Sequence, residues 1–192
     1  MARLSMKGQI DEVIYTRLEP GEDLLRALWD IAEEHDIRAG VIMEGSGGLK
    51  NFRVQRYPHN AKTCLLPIDI VEYDGPLEAN VHGNIGRMVI EPGAVKELPI
   101  PTIPGVLDTE LDKWNMAGAQ GGDGSPYVHA HMTASTRNDT IMGHLMTGTR
   151  IESLAQSYDI PSHFTVVIAK LKGFEFQYRM TETGFFHDYV AI

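Results

Sequence analysis

His129 and His131, with His144 following Gly143, are the residues of this chain whose types and spacing could do chemistry. Two apart on an extended strand, His129 and His131 project their imidazoles to the same face, and the twelve residues that separate His131 from His144 suffice for a turn and a returning strand. Three nitrogens then converge on one point. A catalytic Zn²⁺ typically takes three protein ligands and keeps a fourth position for water or substrate, so the expectation is an open metal site. An all-imidazole set suits Zn²⁺, Fe²⁺, Mn²⁺ or Ni²⁺ rather than Mg²⁺ or Ca²⁺, and zinc is the ion expected first. The competing reading is a hydrogen-bonded polar cluster. The other histidines, His35, His59, His82, His163 and His187, have no comparable spacing.

The elements that must position this set come next. At 192 residues and 43% hydrophobic, the chain can bury a real core and is expected to form one domain over 1–192. Its formal charge of −9, with no basic run, argues against a phosphate backbone as partner. The first residues lack the apolar core of a signal peptide, and no stretch approaches the eighteen or so apolar residues of a membrane span. A soluble cytoplasmic protein is expected. Cys64 is the sole cysteine, which excludes an intramolecular disulfide and thiolate zinc clusters; its apolar neighbours mark it as structural.

Residues 10–18 read as a strand, and Leu24, Leu28, Ile31 and Ala32 form a stripe at helical spacing that should run to about His35. Trp29 reads as core, with no functional role. A buried strand from Ile37 to Met43 runs into Gly45-Ser46-Gly47-Gly48, where a tight turn or bulge is expected. A phosphate-cradling role for these glycines is weak, since no convincing helix and no phosphate-loop lysine follow. Residues 52–57, 68–73 and 77–85 read as further strands, the last two separated by Asp74-Gly75-Pro76. Five of the ten prolines and six glycines fall between about 91 and 127, an irregular insertion with a short helix around 107–116. Because it feeds directly into His129, it reads either as a lid over the metal or as an exposed or subunit-contact segment. Residues 165–169 and 174–180 return to strand character, and 184–192 form an aromatic-containing tail.

The run Leu18-Glu19-Pro20-Gly21-Glu22-Asp23-Leu24-Leu25, the glycines at 45–48, Leu77–Ile85 and the histidine segment resemble the plant and prokaryote conserved (PCC, or PPC) domain. That resemblance implies an α+β domain with a mostly antiparallel, curved sheet, one principal N-terminal helix and assembly into trimers. The histidine segment is also similar to that of acetolactate decarboxylase, a zinc enzyme, with Tyr127, His129, His131, Arg137 and His144 falling on its pattern. A cupin also uses a His-x-His pair, but Ser135 and Thr136 stand where its glutamate belongs and His144 follows too closely.

The function expected from these residues is metal-dependent chemistry on a small keto, hydroxy or carboxylic acid by Lewis-acid polarisation, with decarboxylation or another lyase step fitting best. Glu78 and Glu44, each beside a strand end or glycine turn, are the proton-transfer candidates, and Arg150 and Arg137 the carboxylate-binding ones. Two alternatives remain: a DNA-associated regulatory domain with a structural metal, and a small-ligand-binding trimer without turnover.

Overall fold

Period-two alternation decides where the histidines stand. In β4 (Pro126–Ser135), Val128, Ala130, Met132 and Ala134 are buried in the main core, so His129, His131 and Thr133 take the opposite face. The computed structural model describes residues 3–57, 68–94, 103–105, 107–152 and 163–192; Cys64 and His59 lie outside them. The remaining strands are β1 (Gln9–Arg17), β2 (Gly40–Arg56), β3 (Asp69–Ile90), β5 (Thr140–Leu145), β6 (Arg150–Ile151), β7 (Thr165–Lys172), β8 (Phe174–Thr181) and β9 (Gly184–Ala191). They form a single mixed sheet in the order β1-β7-β2-β5-β4-β3-β8-β9, with β6 beside β2. Because β2 also pairs with β3, the four strands β2, β3, β4 and β5 close a circuit around the core. The pairings are antiparallel except that between β3 and β8, which is parallel.

The stripe read at helical spacing is α1 (Leu24–Glu34), capped by Asp23, whose carboxylate accepts from the Arg26 backbone N–H at 3.2 Å. Its Leu24, Leu25, Leu28 and Ala32 are buried, and the helix lies against β4. A second, smaller core gathers Met88, Leu107, Tyr127, Phe176 and Met180 with residues of α2 (Glu110–Met116), the short helix of the insertion. Its N-cap is a capping box in which Thr109 and Asp112 satisfy each other's backbone N–H groups.

Of the tight turn or bulge expected at 45–48 the structure shows the bulge-type irregularity, and the break expected at 74–76 is absent. The glycines at 45–48 do not end a strand: β2 runs through them, and the irregularity is a register slip against β3 between Ile42 and Ser46. Gly47 has φ +151°, and a Cβ there would stand 2.5 Å from the Phe164 Cα, so the residue serves a close backbone approach rather than a turn. Likewise Asp74-Gly75-Pro76 lies inside β3. Leu49 faces Leu77 and Asn51 faces Asp74, leaving Gly75 and Pro76 at a bulge where proline's missing N–H is tolerated. Among the described residues no helix is long and apolar enough to cross a membrane.

Candidate metal centre

His131 and His144 are direct cross-strand partners on β4 and β5, and His129 lies two residues back on the same face as His131. One ring nitrogen from each of the three lies within 4.8 Å of the other two. His129 Nε2 and His131 Nε2 are 3.3 Å apart. Two nitrogens held at about 2.0–2.1 Å in a tetrahedral shell stand roughly 3.3 Å from each other, so this pair already has the edge length of such a shell. His144 Nε2 is fully buried without a hydrogen-bond partner, while its ring hydrogen-bonds the Met116 backbone. A buried ring nitrogen left unsatisfied, on an imidazole held by the backbone, is the condition of a metal-ligating histidine. The donor set therefore fits a divalent ion with an open position.

Burial pushes all three imidazoles down: His129 to about 4, His144 to about 3, and His131 below its usual range, with neighbouring rings adding to the shift. They are neutral at physiological pH and need release no proton to bind metal. Each folded-state value lies below the unfolded value of 6.5, so from that pH downward the unfolded chain binds more protons than the folded one. The metal-free protein is expected to lose stability as pH falls from 6.5 towards 4, read as a falling denaturant midpoint. A midpoint unchanged across that window would contradict the buried, neutral state.

The histidines open onto a cavity of about 380 Å³. Met116, Ala117, Tyr127, Tyr178 and Phe185 form much of its wall; Met142 and Tyr57 stand exposed, and Gln55 and Arg56 add polar groups. Among its described lining residues there is no aspartate or glutamate. His187 of β9 also borders it, its Nε2 2.9 Å from the Tyr127 hydroxyl and its ring centroid 4.7 Å from that of His129. Burial lowers the His187 value and raises that of Tyr127 well above the ordinary phenol. The C-terminal tail, read as merely aromatic, thus supplies a fourth histidine. The signal was alternation, since Phe185 and His187 share a face of a strand that starts at Gly184.

The acids and arginines expected at the site stand elsewhere. Glu78 pairs with Ser135, four residues along β4 from His131 and so roughly 13 Å away, and borders a separate shallow cavity with His163. Glu44 is exposed opposite Val167 of β7 and accepts from the Ser46 hydroxyl at 3.1 Å. Arg150 is exposed on β6 and donates to the Gly21 carbonyl at 3.0 Å; Arg137 is exposed in the turn after β4. Within one chain these four do not meet the histidines, because adjacency to a glycine turn or strand end says nothing about which face or which end of the sheet a side chain occupies.

Part of the insertion does cover the site: Met116 and Ala117 follow from α2 into the cavity wall, and Gly118 lies beneath His144. Trp29, expected to be inert core, donates its indole N–H to the Gly118 carbonyl at 3.1 Å. It therefore ties α1 to the segment that anchors His144. Trp29→Phe keeps an aromatic ring but removes that donor and part of the buried volume, and is expected to weaken zinc binding about fivefold, read by chelator competition. Unchanged affinity would show that the indole bond does not hold the site.

Fold and site together define an α+β protein whose curved sheet carries three histidines able to hold a metal ion. Residues 5–95 match the model of the Plants and Prokaryotes Conserved (PCC) domain. The three histidines lie beyond the matched stretch. Solved structures extend the likeness in fold to nearly the whole chain. A metal-containing protein from Archaeoglobus fulgidus is 18% identical at TM-score 0.62, covering 96% of this chain and 97% of its own. A plant- and prokaryote-conserved (PPC) protein from Pyrococcus horikoshii is 16% identical at 0.59, with 99% and 96% covered. A candidate DNA-binding protein from Ralstonia eutropha is 14% identical at 0.54, with 94% and 90% covered. No curated protein matches the chain, and the likeness of the histidine segment to acetolactate decarboxylase is not among the similarities found.

Proposed function

We propose that this protein is a metal-dependent enzyme, with zinc the expected ion, acting on a small keto, hydroxy or carboxylic acid. The observation that carries the reading is three imidazoles that each offer a ring nitrogen within 4.8 Å of the others, with the Nε2 atoms of His129 and His131 3.3 Å apart and His144 Nε2 buried with no partner among the described residues. His129, His131 and His144 would hold the ion, which when bound supplies Lewis-acid polarisation of a ligand oxygen. The chain's own groups do the rest. The Met116, Tyr178 and Phe185 wall excludes water. With no acidic side chain among the described lining residues, the hydrogen-bonded Tyr127 and His187 are the groups placed to hold or move a proton. Glu78 and Glu44 take that role only where a neighbouring subunit supplies them. A homotrimer, as the PCC resemblance implies, is part of the proposal and is read by light scattering.

The test is metal analysis of the purified protein, followed by turnover of a panel of 2-oxo and 2-hydroxy acids. Stoichiometric metal and turnover, both lost in His131→Ala, support the enzyme. Metal and ligand binding without turnover of any acid would leave the non-catalytic binder instead. The DNA-associated reading draws on the Ralstonia neighbour, but a formal charge of −9 opposes it. It requires salt-sensitive DNA binding that survives His131→Ala.

A further inference from the structure

The cavity in front of the histidines is out of proportion to the smallest oxo acids. Its volume of about 380 Å³ equals that of roughly a dozen waters, room for a ligand of about a dozen non-hydrogen atoms rather than half that number. Its chemistry is uneven in two ways. The chain has 26 acidic residues, yet the described lining contains none, and it does contain Arg56. That arginine is ion-paired with Asp69, its register partner on β3, through Nε at 3.2 Å. Away from Arg56 the wall is apolar and aromatic: Tyr178 and Phe185 hold their ring centroids 5.5 Å apart, and Met142 stays 60% exposed. A large apolar side chain left in water beside a cavity gains most from an apolar ligand.

We propose that the site takes a carboxylate bearing an aromatic or branched apolar tail, the acid group directed to the histidine cluster and the tail packed on Met142, Tyr178 and Phe185. This deepens the reading of the site as a metal centre for small acids and rests on it for the acid end; the tail preference rests on the cavity wall alone. Burying a phenyl group against such a wall is expected to tighten binding roughly 10- to 100-fold.

The experiment is calorimetry on the full-length zinc-loaded protein with three probes: phenylpyruvate, pyruvate and the uncharged phenylacetone. Phenylpyruvate is expected to bind at least about tenfold more tightly than either of the others. Met142→Ser, at an exposed position that leaves folding intact, should weaken phenylpyruvate several-fold and leave pyruvate unchanged; Phe185→Ala should do so more strongly. Equal affinities for phenylpyruvate and pyruvate in a protein that holds stoichiometric zinc would overturn the tail preference and leave the metal reading standing. Phenylacetone binding as tightly as phenylpyruvate would overturn the carboxylate. A phenylpyruvate preference in a protein that takes up no zinc would keep this inference and sink the metal reading.

Discussion

His144→Ala is expected to lower zinc affinity by about three orders of magnitude, since a site worth roughly 10–16 kcal/mol loses about a third of its ligands. The reasoning begins with the nitrogen. His144 Nε2 is buried with no hydrogen-bond partner among the described residues, an arrangement that costs a metal-free protein roughly 1–3 kcal/mol and that a bound ion relieves. Alanine removes that orphaned group and leaves a small void, two changes of opposite sign, so the metal-free variant should melt within a few degrees of the parent. The difference appears on adding zinc. A ligand that binds only the folded state raises its stability in proportion to the logarithm of concentration over Kd, so the parent's melting temperature should climb and the variant's should not. His82→Ala separates ligand from neighbour: that ring stacks on His131 at 6.5 Å but is not one of the three, and its loss should leave the zinc-induced shift intact. Equal zinc shifts in parent and His144→Ala would end the assignment of this nitrogen as a ligand.

The histidine triad was legible from sequence because its information is local. A two-residue spacing fixes the face, and a return after one turn brings His144 opposite His131 whatever the rest of the sheet does. The helix was legible for the same reason: Leu24, Leu28, Ile31 and Ala32 are all buried on one side of α1. What failed was inference from punctuation. The Asp74-Gly75-Pro76 run looks like a break between strands, but β2 and β3 are partners along most of their lengths, and that pairing carries β3 through it as a bulge, as it carries β2 through the irregularity expected at 45–48. The same error displaced Glu44 and Glu78, which were placed near the chemistry because they adjoin such punctuation. His187 was missed for the opposite reason. It reaches the site because β8 pairs parallel to the end of β3, which brings the β8–β9 hairpin over Tyr127. The alternation that puts Phe185 and His187 on one face is legible in the sequence; the parallel contact between distant segments that carries that face to the site is not.

Gly118→Ala is expected to be the most damaging single-methyl change near the site. Gly118 follows α2 with φ +93°, a conformation that an L side chain adopts only under strain of order 1–3 kcal/mol. Space compounds the strain. A Cβ at this position would overlap the Val128 carbonyl oxygen, which cannot retreat, because the Val128 N–H donates to the Gly118 carbonyl at 2.8 Å and Val128 itself is buried in β4. That carbonyl also accepts the Trp29 indole N–H. Relief therefore requires the 116–118 segment to move away from β4, and it cannot do so without disturbing the Met116 backbone bond to His144 and the Trp29 bond together. Zinc affinity should fall about 10- to 100-fold, as when a partner that orients a ligand is lost, and the melting temperature should drop by several degrees even without metal. Gly121→Ala is the matched control, since nothing lies within 4 Å of a Cβ there, and it should change neither quantity. If Gly118→Ala keeps full zinc affinity while losing stability, the 116–118 segment supports the fold alone and His144 holds its orientation by other means.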